Sequence, residues 1–131
     1  MAASIQRYAA KGVWDPPGYS QAVKVTGAQT ILFLSGQVAY TDKGGPAHPG
    51  DFKAQARATF QAIKAQVEAG GGTIQSIVKI NTYLTDIRHR TELVPIREEF
   101  LGKKSPASTL GAVAALAMPE WMIEIEAIAV I

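Results

Sequence analysis

Between residues 51 and 69 the apolar side chains return every three or four positions. Phe52, Ala56, Phe60, Ile63 and Val67 share one face of a helix, with Lys53, Arg57, Lys64 and Glu68 mostly opposite. Asp51 is placed to cap its start, and Gly70 to stop it as a C′ residue. A single apolar stripe predicts a helix lying on a sheet. A shorter helix is predicted over residues 92–101, where Leu93, Ile96 and Phe100 share a face and Pro95 falls in the first turn. Strands are predicted at residues 20–26, 31–37, 78–85, 108–114 and 122–131. The last alternates most cleanly. Ile123, Ile125, Ala127, Ala129 and Ile131 point one way, and Glu124, Glu126, Ile128 and Val130 the other. The first set suits a surface under helices. The second mixes two carboxylates with Ile and Val, as a surface covered by another subunit would. The order strand, strand, helix, strand, helix, strand, strand gives an α+β class, a mixed sheet with two helices on one face.

Composition narrows the function classes. The 131 residues suit one domain spanning 1–131, long enough to bury a core without metal or disulfide. With no cysteine, disulfides, thiolate nucleophiles and zinc–cysteine sites are excluded. Lys and Arg number 13 against 11 Asp and Glu, a net charge of +2 that makes no nucleic-acid footprint. No apolar run is long enough to span a membrane, and residues 1–8 lack a signal-peptide core, so the expectation is a cytoplasmic protein.

Most candidate chemistry gives way to ordinary readings. His48 and His89 stand far apart with no ligand pattern, and read as solvated loop residues rather than a metal pair. Gly70-Gly71-Gly72 follows a helix, whereas a phosphate cradle follows a strand. Ser35-Gly36 lacks the nucleophile-elbow pattern and reads as a tight strand end. Trp14 and Trp121 are candidates for packing at a seam between subunits. Glu124 and Glu126 share a strand face beside Ile and Val. They are either an exposed pair or a partly desolvated one, and a desolvated carboxylate could position or activate water.

Several segments carry a family resemblance: PPGYSQAVKV from Pro16, LFLSGQV from Leu32, a helix ending in Ala69-Gly70-Gly71-Gly72, IVKINTYLTDI from Ile77, and the stretch from Pro106 to Ile131. In their order and spacing the chain resembles the Rid superfamily of reactive intermediate deaminases, also called the YjgF family. The resemblance implies a chorismate-mutase-like fold and a homotrimer with a central barrel-like core, helices outside and small-molecule sites in the clefts between subunits. It implies hydrolysis of 2-imino or 2-enamino acids to 2-keto acids and ammonia, with no cofactor and no metal. Carried over residue by residue, Tyr19 matches the cleft tyrosine and Ser35 and Gly36 the strand-end pair at the cleft border. Glu124 matches the glutamate that holds the hydrolytic water, while Glu126 is left a structural role. Deaminating members carry an arginine two residues after the proline, where this chain has Ser108 in Pro106-Ala107-Ser108. A serine offers one neutral donor in place of a charged fork. The expected substrate is therefore a small imine, enamine or related electrophile that lacks the usual carboxylate or presents it differently. Ser108 and Thr109 would form the selecting wall, and Arg88, Arg90 or Arg97 could resupply the charge. The alternative is a non-catalytic trimer that binds a metabolite or holds other proteins. Some family members are described as ribonucleases, which the low charge and the isolated histidines do not favour.

Overall fold

A computed structural model describes residues 3–103 and 105–131. Among the described residues, six strands and two α-helices follow in the order β1 (Ser4–Tyr8), β2 (Ala22–Thr26), β3 (Ile31–Gln37), α1 (Phe52–Ala69), β4 (Ile77–Leu84), α2 (Arg90–Leu101), β5 (Ala107–Ala112) and β6 (Ile123–Val130). Four strands form a mixed sheet in the order β3-β6-β4-β5, with β4 and β5 parallel and the other pairs antiparallel. β1 and β2 make an antiparallel pair, joined to the sheet edge by a parallel bridge between Ser20 and Ala107.

The α+β class and the two helices over one mixed sheet agree with the sequence reading. β1 is an addition: only Ile5 in it is a strong apolar signal, and its extended form is fixed by pairing with β2. The strand expected from Ser20 begins at Ala22, with Ser20 itself held only by the bridge.

The helical stripe of α1 is buried as its spacing predicts. Phe52, Ala56, Phe60, Ile63 and Val67 pack with Ile80, Leu84, Ile123, Ile125, Ala127 and Ala129 of the sheet and Leu93, Ile96 and Leu101 of α2. Each large side chain in such a core contributes about 1.5–3 kcal/mol by leaving water. Asp51 caps α1 by accepting from the Ala54 N–H at 3.1 Å. Gly70 is not the left-handed terminator. Its φ is −82°, and the positive φ of 95° belongs to Gly71, one residue later, where the chain reverses.

α2 also starts earlier than expected. A 3-10 turn over Ile87–His89, capped by Asp86 accepting from the Arg88 N–H, feeds directly into Arg90. Pro95 consequently lies in the second turn rather than the first. It is exposed there, as is Thr91, whose carbonyl loses its N–H partner to the proline. His48 is exposed, but His89 is no solvated loop residue: its ring stacks on Phe52 at 4.4 Å, and Nδ1 lies 2.8 Å from Glu92 Oε1. Trp121 anchors its own chain. It is buried, donates from Nε1 to the Ala39 carbonyl at 2.9 Å and meets Tyr40 edge to face. Trp14 is 67% exposed.

The buried Gln55 of α1 sets where β6 begins. Its amide donates to the carbonyls of His48 and Glu120, and its oxygen accepts from the Met122 N–H at 2.8 Å. Two loops and the start of β6 are thereby tied to the helix.

Candidate functional site

β6 runs through the middle of the sheet, so its two faces meet different surroundings. Ile123, Ile125, Ala127 and Ala129 lie under the helices, and Glu124, Glu126 and Ile128 face the open side. Register carries that open face across the sheet. Phe33 sits beside Ile128, Asn81 beside Glu126, Tyr83 beside Glu124, and Thr109 beside Asn81. This face holds the two most exposed apolar side chains of the sheet, Phe33 at 77% and Ile31 at 55%. A depression of about 350 Å³ there is lined by Phe33, Ser35, Lys79, Asn81, Glu126 and Ile128, among others.

The two glutamates differ sharply in what they touch. Glu126 Oε1 accepts from Asn81 Nδ2 and from the Tyr83 hydroxyl, both at 2.9 Å. That bond, with partial burial and the carboxylate charges of Glu126 and Glu124, holds the Tyr83 hydroxyl above its ordinary pKa. The Glu124 carboxylate makes no hydrogen bond to any described residue. Its carboxylate lies against Gly36 instead. The pairing of β3 with β6 shifts between Leu34 and Gln37, which puts Ser35 and Gly36 in a bulge beside the glutamate pair. A Cβ at position 36 would overlap Glu124 Oε1 and stand 2.7 and 2.8 Å from its Cδ and Cγ. Glycine at 36 is therefore a condition of Glu124 lying where it does.

Ser108 is elsewhere. It pairs with Ile80, whose side chain is buried under the helices, so Ser108 occupies the helix side of the sheet at its edge. Thr109, one residue on, occupies the open side, where Lys79 donates to its hydroxyl at 3.1 Å. The two neighbours do not form one wall within a protomer. Ser108 instead lines a cavity of about 210 Å³ with Tyr19, Arg90, Arg97 and Leu110. Tyr19 is brought there by its neighbour Ser20, which bonds through N–H to the Pro106 carbonyl and through Oγ to the Ser105 carbonyl at 2.6 Å. Thus Ser35, Gly36, Glu124 and Thr109 border one face of the sheet, and Tyr19 and Ser108 the other.

Sequence reasoning had no role for Asn81 and Tyr83, although polar residues at alternate positions of an apolar strand mark one exposed face. Among the described residues no group of three His, Asp or Glu is placed to hold a metal ion, and no helix is long and apolar enough to cross a membrane.

The match to known proteins extends over nearly the whole chain: the model of the family described as endoribonuclease L-PSP fits residues 15–131. The chain belongs to the Rid (YjgF) superfamily. A RutC family protein of Pyrococcus horikoshii is 36% identical over 111 residues, 85% of each chain. Protein mmf2 of Schizosaccharomyces pombe, named as mitochondrial, is 34% identical over 85% of this chain and 86% of its own. Among solved structures, the Rid-family protein YyfB of Yersinia pestis superposes with a TM-score of 0.83 at 27% identity, covering 100% of both chains. RidA from an Antarctic Psychrobacter superposes at 0.72 with 35% identity, covering 94% of this chain and 92% of its own. The two helices on one mixed sheet are thus the Rid fold, and this superfamily supports a deaminase-like or small-molecule-binding role.

Proposed function

We propose that the protein hydrolyses a small imine or enamine in clefts between the subunits of a homotrimer. The observation that carries this reading is the contrast between the two strand carboxylates. Glu126 is tied down by Asn81 and Tyr83, while Glu124, held against Gly36, keeps its oxygens uncommitted on a face fringed by exposed Phe33 and Ile31. A second protomer packed on that apolar fringe would shelter Glu124 from bulk water. The same packing would bring it to the Tyr19 and Ser108 side of the neighbour, which one protomer cannot do for itself.

In this reading Glu124 accepts a proton from a water molecule. The water oxygen bonds to the imine carbon, and a proton passes to the imine nitrogen. The resulting carbinolamine collapses: its hydroxyl proton passes to the amino group, the C–N bond breaks, ammonia leaves, and a carbonyl remains. A positioned general base of this kind contributes about a hundredfold or more. The test is to generate an imine in place with an amino-acid oxidase and follow ammonia release above the spontaneous rate. Glu124→Gln is expected to lower kcat at least about a hundredfold. Unchanged hydrolysis in that variant would remove the mechanism.

A non-catalytic, metabolite-binding or protein-holding trimer is the second reading, favoured by the neutral Ser108 at the family's arginine position. Its mark would be thermal stabilisation by a small ligand with no product formed.

A further inference from the structure

The cavity beside Ser108 is lined by charge that the sheet does not supply. Arg90 and Arg97 are seven residues apart on α2, two turns of helix, so their side chains leave the same face. Both reach the cavity that holds Ser108, Tyr19 and Leu110. Among the described residues neither guanidinium makes a salt bridge or a side-chain hydrogen bond. Arg88, the third arginine of this segment, differs: its side chain is 87% exposed and forked onto Asp86 at 2.7 Å. Arg97 is half-buried, and its Nη2 lies so near Gly18 that a Cβ there would come within 2.9 Å. Glycine at 18 thus leaves the guanidinium its place. Burial first, and the like charge of Arg90 second, draw Arg97 below its ordinary pKa, with smaller opposing pulls from Glu98 and Tyr19. Two like charges converging on one small cavity with no acid between them repel each other, and an anion between them would relieve that repulsion.

We propose that Arg97, assisted by Arg90, is a carboxylate clamp that reaches the Ser108 cavity from helix α2 rather than from the strand. The small side chain of Ser108 leaves the volume open, and Ser108 and Tyr19, each carrying a hydroxyl donor, line the same space. The ligand class that two unpaired arginines beside Leu110 argue for is a small monocarboxylate with an apolar part. This deepens the proposed function and rests on its small-molecule reading. It narrows the expected substrate to one whose carboxylate is met by a different element.

The test separates binding from turnover. Calorimetry at low salt would compare the keto acid of leucine with the corresponding keto amide, which has the same shape without the charge. The intact protein is expected to prefer the keto acid. Arg97→Gln should weaken keto-acid binding about ten- to a hundredfold, the worth of one or two charge-assisted bonds. Arg97→Lys, which keeps the charge and loses the planar fork, should fall between, and Arg90→Gln, at an exposed position, should give a smaller loss. Arg88→Gln serves as the control and should bind as the parent does. Melting curves confirm that each variant is folded, and Arg90→Gln and Arg97→Lys carry the test where Arg97→Gln is not. Equal affinity for acid and amide, no measurable keto-acid binding, or full affinity retained in the folded Arg97 variants would overturn the clamp. Arginine-dependent binding without imine hydrolysis would leave the clamp standing and remove the hydrolase reading alone.

Discussion

Gly36→Ala adds one methyl group at the point where β3 bulges beside Glu124. Two opposing effects set the sign. Alanine restricts the unfolded chain, which alone stabilises by about 0.4–1 kcal/mol where the native backbone accepts it. The φ of Gly36 is not in the left-handed region, so the backbone raises no objection. The objection is steric: the new Cβ overlaps Oε1 of Glu124 and crowds its Cδ and Cγ at 2.7 and 2.8 Å. Because Cγ is involved, turning the carboxylate alone does not clear the contact, and the side chain must change rotamer or the bulge must shift. Overpacking of this sort costs about 1–3 kcal/mol, which exceeds the entropic gain and leaves a net loss of roughly 1–2 kcal/mol. For a chain of this size that is a fall in Tm of roughly 3–8 °C. Urea unfolding at fixed protein concentration measures it, since an assembly makes stability concentration-dependent. The decisive comparison is a double-mutant cycle. In a Glu124→Ala background the obstacle is gone, so Gly36→Ala should cost almost nothing, giving a coupling of roughly 1 kcal/mol or more. Equal cost in both backgrounds would show that Gly36 does not hold space for Glu124.

Three other outcomes follow from the same structure. Gln55→Leu roughly keeps the volume but strands the Glu120 carbonyl and the Met122 N–H, while the His48 carbonyl keeps the Asp51 N–H; it should destabilise by about 2–4 kcal/mol, read by urea unfolding, and a loss under about 0.5 kcal/mol would mean that water replaces the amide. Asp86 is held at about 2, against an ordinary 3.8, chiefly by the Arg88 side chain and then by its backbone N–H, so its contribution is complete above about pH 4 and fades as pH falls toward 2. The stability of the parent should therefore drop more steeply than that of Asp86→Asn across that interval, and parallel pH curves would contradict the assignment. Phe33→Arg places a charge in the middle of the exposed apolar fringe and should convert a trimer into monomers by sedimentation; a parent protein already monomeric at micromolar concentration would refute the proposed assembly.

Local periodicity made much of this legible. The spacing of Phe52, Phe60, Ile63 and Val67 located α1 because a helix that buries one stripe must repeat it, and alternation in β6 separated Ile123 and Ile125 from Glu124 and Glu126 for the same reason. What escaped depends on partners distant in sequence. β1 is a strand because β2 lies beside it, and Gln55 can be buried because its amide bonds three backbone groups. Gly70 and Gly71 are chemically identical, and only the backbone angles tell which one turns the corner. The start of α2 was obscured by Pro95, which a helix usually tolerates in its first turn and which this one carries in its second. In the candidate site, Glu124, Ser108 and Tyr19 could be named from the sequence, but which face each borders depends on strand register. The arginine pair of α2 carried the signal of seven-residue spacing, yet that spacing acquires meaning only once Gly18 and Ser108 are found beside it.

Register also explains why one protomer cannot assemble all the proposed chemistry. Ser108 pairs with Ile80 and Ile80 with Ala127, a row whose Ile80 and Ala127 lie under the helices. Thr109 pairs with Asn81 and Asn81 with Glu126, a row on the open side. Because neighbouring residues of a strand point to opposite faces, no repacking of side chains moves Glu124 and Ser108 to the same side; only a slip of one residue would, and that would expose Ile123 and Ile125. The carboxylate and the arginine-lined cavity therefore lie on opposite sides of one sheet, and under the proposed function they would meet where the open face of one copy meets the edge of another. Under the proposed function, dissociating the assembly should abolish hydrolysis even though each protomer stays folded, while carboxylate binding by Arg97, on a single protomer's edge, should persist in weakened form.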